Sequence, residues 1–200
     1  MIPVLAVSDP EAGAAFLCSH LGFTRDGRDA LLVHFGDQKV KLVESGEDVP
    51  DLIGLPFDHL ALRVADADQT EAEGLARGAL RHKAFTPDGP HEIAEFGASG
   101  VRFIFFEGPD GWPFEFCAQR GSRGDGNGHG HYGMRCASVA DMSEKLAAMG
   151  AKIHSKHTLN GPNADVHVAF LGLYDGIFEL FDEPPVGPPA PGRGWIGFLP

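Results

Sequence analysis

The sequence predicts an α+β fold assembled from repeated β-α-β-β-β modules. Three observations carry this. First, HLALRVADAD (59–68) aligns with HYGMRCASVA (131–140), putting His59 over His131 and Arg63 over Arg135, with apolar alternation through both. A self-similar chain has to be read as repeats before its elements are assigned. Second, each stretch passes from strand-like alternation into a helical segment with a start signal. Third, each copy closes on a D-G turn and an apolar strand with an embedded carboxylate: GPDGWPFEFC contains Glu115, and LYDGIFELFD contains Glu179.

A fainter copy opens the chain, over residues 1–46. IPVLAV reads as a strand. Ser8-Asp9-Pro10-Glu11 has the form of a capping box, with proline in the first turn where its missing N–H costs nothing. The helix runs through EAGAAFLCSH and stops before Gly22, and FTRDG, DALLVHFG and KVKLVES supply the remaining strands. Ile2 stands at the histidine-equivalent position, and Val or Leu stands near the expected glutamate. This module keeps the pattern of the fold without the candidate ligands.

The polar segment ESGEDVPDLIGLP (44–56) reads as a linker into a second module, 56–119. Its helix is expected to start at Asp68, boxed with Glu71, and to end near Gly78. LRHKAFTP, HEIAEFGAS, VRFIFFEG and WPFEFC follow as strand-like runs. RGSRGDGNG (120–128) is a second linker, flexible by composition. In the third module, 129–183, the box is Asp141 with Glu144, the helix ends near Gly150, and AKIHSKHT, VHVAFLGL and GIFELFD are the strands. The tail, 184–200, is rich in proline and glycine and reads as extended; Trp195, Ile196 and Phe198 are apolar enough to dock.

The bulk properties narrow the function. The net charge of −12 argues against a nucleic-acid surface, which needs clustered Lys and Arg. No apolar run approaches the ~20 residues that span a bilayer, and the first residues lack the basic and apolar regions of a signal peptide. The 3 cysteines form no CxxC pair and read as reduced thiols. A cytoplasmic protein acting on a small molecule is the expectation. A repeat that duplicates a histidine and a carboxylate duplicates half a metal site. A carboxylate inside an apolar run is costly to bury without a partner, and here the same anomaly occurs twice.

With His opening the first strand and Glu on the last after a D-G turn, HLALRVADAD, GPDGWPFEF, HYGMRCASVAD and YDGIFELF resemble the vicinal oxygen chelate superfamily. Its members include glyoxalase I, extradiol dioxygenases, methylmalonyl-CoA epimerase and drug-resistance binding proteins. The resemblance covers roughly residues 2–182 and implies that two modules pair into a cup of eight strands with a metal on its floor. A family member with an odd number of modules is a departure. The first module would then either pair with its copy in a second chain, giving a homodimer, or cap the cup.

Side chains alternate along a strand, so His59, Ala61 and Arg63 share one face, as do His131, Gly133 and Arg135, Glu115 and Cys117, and Glu179 and Phe181. His59, Glu115, His131 and Glu179 are the expected ligands of one divalent ion: zinc, nickel, cobalt or manganese, or iron(II) in a dioxygenase. Ala61 and Gly133 are expected to leave room above the ion. Arg63 and Arg135 would either bind an anionic group of the substrate or pair with protein carboxylates. His129 is the rival ligand, placed in a linker expected to be mobile. Cys117 reads as a packing residue rather than a catalytic thiol. Of the other histidines, His91 and His167 are the ones expected near the cup mouth.

The resemblance leaves three functions in play. In a lyase or isomerase of the glyoxalase or epimerase type, Glu115 or Glu179 moves a proton. In an extradiol dioxygenase, His59, His131 and Glu179 suffice on iron and Glu115 is superfluous. In a binding protein, the cup only sequesters a ligand, and retained ligand residues argue against this.

Overall fold

The computed structural model describes residues 1–46, 57–121, 126–161, 164–182 and, as backbone, 197–199. The chain runs three times through the same succession. The first is β1 (Ile2–Val7), α1 (Pro10–His20), β2 (Thr24–Arg25), β3 (Leu32–Phe35) and β4 (Gln38–Glu44). The second is β5 (Phe57–Arg63), α2 (Ala67–Ala76), β6 (His91–Ile93), β7 (Val101–Glu107) and β8 (Pro113–Gln119). The third is β9 (Gly128–Arg135), α3 (Val139–Ala148), β10 (Lys152–Asn160), β11 (Asp165–Leu173) and β12 (Gly176–Phe181). A last short strand, β13 (Gly197–Leu199), follows. In each succession the first strand lies parallel to the last, an arrangement that needs the helical crossover between them.

The second and third successions merge into one eight-stranded mixed sheet in the order β10-β11-β12-β9-β5-β8-β7-β6. Its centre is the antiparallel pair β5 and β9, where His59 lies opposite Gly133 and His131 opposite Ala61. The pairing is reciprocal between repeats, so the sheet has an internal two-fold relation. The sheet curls until Phe96, just beyond β6, meets His157 of β10 and Phe170 of β11 at ring-centroid distances of 5.0 and 5.2 Å.

The first succession builds a separate sheet, β13-β1-β4-β3-β2, against the outer face of the cup. Leu60, Leu62, Phe114 and Phe116 point outward and are buried in a core shared with Leu5, Leu17, Phe23, Phe35 and Leu42. Phe23 and Phe35 meet Phe114 and Phe116 edge-on at 5.8 and 5.4 Å, and the Trp112 indole N–H donates to the Ala6 carbonyl at 3.2 Å. The two ends of β1 are tied to the two equivalent D-G turns. The Met1 amino group pairs with Asp175, and the Ser8 hydroxyl donates to Asp110 at 2.9 Å. β13 occupies the free side of β1, antiparallel, as β9 does for β5. The chain itself therefore covers that edge of β1 along Ile2–Val4.

Several local expectations are corrected. The helix caps are Asp9, Asp66 and Ser138, each in extended backbone with its side chain accepting from the amide three residues on. They precede the boxes expected at Asp68 and Asp141 and follow the one at Ser8. Asp68 lies inside the first turn and pairs with Arg102 through two contacts of 2.6 and 2.7 Å. Gly78 and Gly150 take positive φ just past α2 and α3, as expected. LRHKAFTP is not a strand: only Arg81 bridges to Phe106, and Thr86 instead exchanges hydrogen bonds with the Phe105 backbone. In HEIAEFGAS only β6 is extended. Pro87, Gly89 and Pro90 interrupt this stretch, and the third module has nothing like them between α3 and β10. Most of the two linkers (47–56 and 122–125) and of the tail (183–196, with Trp195 and Ile196) lies outside the described residues. Among the described residues, no helix is long and apolar enough to cross a membrane.

Candidate metal centre

Alternation on seven strands sends the odd-numbered side chains inward, around a cavity of about 580 Å³. On its floor the four predicted ligands meet. His59 Nε2 and His131 Nε2 are 3.1 Å apart. Glu115 Oε2 lies 3.3 Å from the first and 3.2 Å from the second, and Glu179 Oε2 lies at the same 3.3 and 3.2 Å. The strand order explains the arrangement. The imidazoles come from the central pair β5 and β9, and each carboxylate comes from the strand flanking it, Glu115 beside Ala61 and Glu179 beside Gly133.

All four groups are buried or nearly so, in walls of phenylalanine and aliphatic side chains. Burial alone would lower the two histidines, yet hydrogen bonds and charge from the acids outweigh it. His59 is held well above its ordinary value by Asp58, Glu115 and Glu179, and His131 is raised to about 9 by Glu179 and Glu115. Burial likewise raises both glutamates, but the imidazoles prevail and leave each below the usual carboxylate range. Neighbouring donors on one ion at about 2.0–2.2 Å stand roughly 2.8–3.6 Å apart, and the separations among His59, His131 and Glu179 fall in that range. The donor chemistry agrees: two imidazoles and two carboxylates suit transition metals. The set whose donor atoms all lie within 4.8 Å of one another is His59, His131 and Glu179, without Glu115.

Three features of the floor lie beyond the sequence reading. Gly133 does not open space above an ion; a Cβ there would stand 2.2–2.6 Å from the His59 ring, so the glycine makes room for the imidazole. Asp58 accepts from His59 Nδ1 at 2.9 Å, which fixes the tautomer and turns Nε2 toward the cluster. Strand parity would send Asp58 outward, but the register shifts between Phe57 and His59, a β-bulge that lets both face the floor. The matching bulge in β9 falls at Gly130, so His131 has no equivalent aspartate. Finally, Phe105 and Phe170 stand edge-on to His59 and His131, at 5.2 and 5.5 Å.

Both candidate arginines border the cavity, and both have protein partners. Arg135 Nη2 donates to Asp58 at 2.6 Å, and its guanidinium lies over Phe181 at 4.7 Å. Arg63 donates to the carbonyls of Gly126 and His129 at 3.1 and 3.4 Å and lies 3.6 Å from Asp37. His129 is held by hydrogen bonds outside the cluster. Its Nδ1 lies 2.6 Å from Gln38 Oε1, its Nε2 accepts from the Ile177 amide at 3.0 Å, and burial lowers it to about 4. Besides His129, the histidine on the wall is His157, on the inward face of β10, and neither His91 nor His167 lines the cavity. His167 is exposed and pairs with Asp182. Cys117 lies on the wall, and burial first and then Glu115 hold its thiol well above the ordinary value, so it is a poor nucleophile.

The curled sheet of paired β-α-β-β-β units is the vicinal oxygen chelate fold. Among solved structures, the chain is similar to a glyoxalase I variant from Zea mays, with a TM-score of 0.64 at 20% identity over 97% of this chain and 70% of that one. A second Zea mays glyoxalase I structure aligns at the same score and identity over 90% and 66%. A variant of 4-hydroxymandelate synthase from Streptomyces coelicolor aligns at 0.57 with 13% identity over 94% and 71%. No protein-family model matches the chain. No curated protein matches it by sequence.

Proposed function

We propose that the chain is a metal-dependent enzyme of the vicinal oxygen chelate superfamily. In this reading His59, Glu115, His131 and Glu179 hold one zinc, nickel, cobalt or manganese ion, and the reaction is a proton transfer of the lyase or isomerase type. The observation that carries it is the second carboxylate: Glu115 stands as close to both imidazoles as Glu179 does. A divalent ion there would bind two adjacent oxygens of a small substrate and acidify the neighbouring C–H. Glu115 or Glu179 would take that proton, breaking the C–H bond and forming a carboxyl O–H, and return it to the adjacent carbon. The apolar walls keep water from the exchange. Arg63 and Arg135, at opposite ends of the floor, would border the bound substrate.

A second reading rests on the three-residue set of His59, His131 and Glu179, which is the two-histidine, one-carboxylate arrangement suited to iron(II) and ring cleavage. Two measurements separate the readings. Elemental analysis of protein purified without added metal should find zinc, nickel, cobalt or manganese; iron, with oxygen-dependent turnover, supports the dioxygenase. Glu115→Gln should lower metal occupancy or turnover at least ~10-fold under proton transfer, the usual scale for a lost ligand or base, and should change little under the iron reading.

A further inference from the structure

The duplication extends past the ligands to two aromatic rings. Phe105 pairs across the β7–β8 ladder with Glu115, and Phe170 pairs across the β11–β12 ladder with Glu179. Each ring is edge-on to the imidazole of its own half-site, at interplanar angles of 82° and 80°. The aromatic lining continues upward from both. Phe85 stacks on Phe105 at 4.7 Å, Phe96 meets Phe170 edge-on at 5.2 Å, and Phe103 meets Phe105 at 5.9 Å. All of these rings border the cavity.

The charges on the same walls are already matched. Arg135 faces Asp58, and Arg63 faces Asp37 and two carbonyls. A divalent ion would be balanced by Glu115 and Glu179. A highly charged appendage such as a phosphate or a peptide carboxylate would have to compete with Asp58 or Asp37 for its cation. A flat apolar group would instead displace poorly held water from phenyl faces, and ring-on-ring contact adds to the area it buries. The cavity volume, about 580 Å³, suits a molecule of one or two rings.

We propose that the cup selects a compact aryl compound carrying two neighbouring oxygens and no charged tail, with Phe105 and Phe170 gripping the ring on either side of the metal position. This deepens the metal-chelate reading above and rests on it.

The test uses three hydroxamates that share one vicinal-oxygen head and differ only in the tail: acetohydroxamate, benzohydroxamate and 4-carboxybenzohydroxamate. Each is titrated calorimetrically into the full chain, once loaded with zinc and once stripped with chelator. Benzohydroxamate should bind the loaded protein at least ~10-fold tighter than acetohydroxamate, the gain expected from burying one phenyl group, and the added carboxylate should cancel most of that gain. In Phe105→Leu and Phe170→Leu, which keep most of the wall volume, the benzohydroxamate-to-acetohydroxamate ratio should fall severalfold. Metal-dependent binding of acetohydroxamate with no gain from the phenyl group overturns the aryl proposal alone. So does a ratio unchanged in both leucine variants, or a carboxylated probe that binds as well as the plain one. If the protein takes up no zinc, or binds the three probes equally with and without it, the chelate reading falls and takes the proposal with it.

Discussion

The Asp58 carboxylate holds two groups at once, His59 Nδ1 at 2.9 Å and Arg135 Nη2 at 2.6 Å. Asp58→Asn keeps the shape and removes the charge that orients the imidazole. Metal affinity should fall ~10–100-fold with the fold retained, read by competition against a chromophoric chelator alongside circular dichroism. The four candidate ligands were legible in the sequence because the duplication repeats them at matching points of two strands. Asp58 was not, because strand parity points it outward and only the bulge brings it in. Phe105 and Phe170 were hidden for another reason: among 15 phenylalanines, nothing marks the two that flank a histidine. The same cluster sets a pH dependence. Burial would lower His131, but Glu179 and Glu115 raise it to about 9. A raised value stabilises the folded protein fully below the unfolded value of ~6.5, and that contribution is lost as pH climbs toward 9. The melting temperature of chelator-treated protein should fall from pH 6.5 to 9. Metal affinity, which requires unprotonated imidazoles, should rise over the same interval.

At the scale of elements, helix existence was readable and helix starts were not. The α2 entry carries two aspartates, Asp66 and Asp68, and the D-x-x-E spacing favoured the wrong one. The backbone decides it: Asp66 is extended and accepts from the Gln69 amide at 3.0 Å, while Asp68 is already helical. Asp66→Ala should cost about 1 kcal/mol in urea unfolding, as lost caps do. Asp68→Ala should cost less, since it removes only a largely exposed pair with Arg102. The strand after α2 failed for the complementary reason. Apolar alternation in LRHKAFTP looks extended, but the prolines and glycine that follow leave β6 only 3 residues long, against 9 for β10.

Across the whole molecule, paired modules make the cup and the first module braces it from outside. All four candidate ligands come from one chain, so metal content should reach one ion per chain whatever the state of assembly. The bracing module keeps the same strand order as its relatives but lacks a sister. β13 takes the sister's place, setting Leu199 opposite Ile2. Residues 2 and 199 therefore lie side by side, and the path of the chain between them is nearly a ring. A short glycine-serine bridge joining Leu199 to Met1, with the chain opened in the 122–125 segment between the cup's halves, should yield a circular permutant that still loads metal; failure to load in a soluble, folded permutant would contradict that geometry. Such a rearranged gene would encode the cup's two halves at opposite extremes of the chain, joined through the bracing module alone.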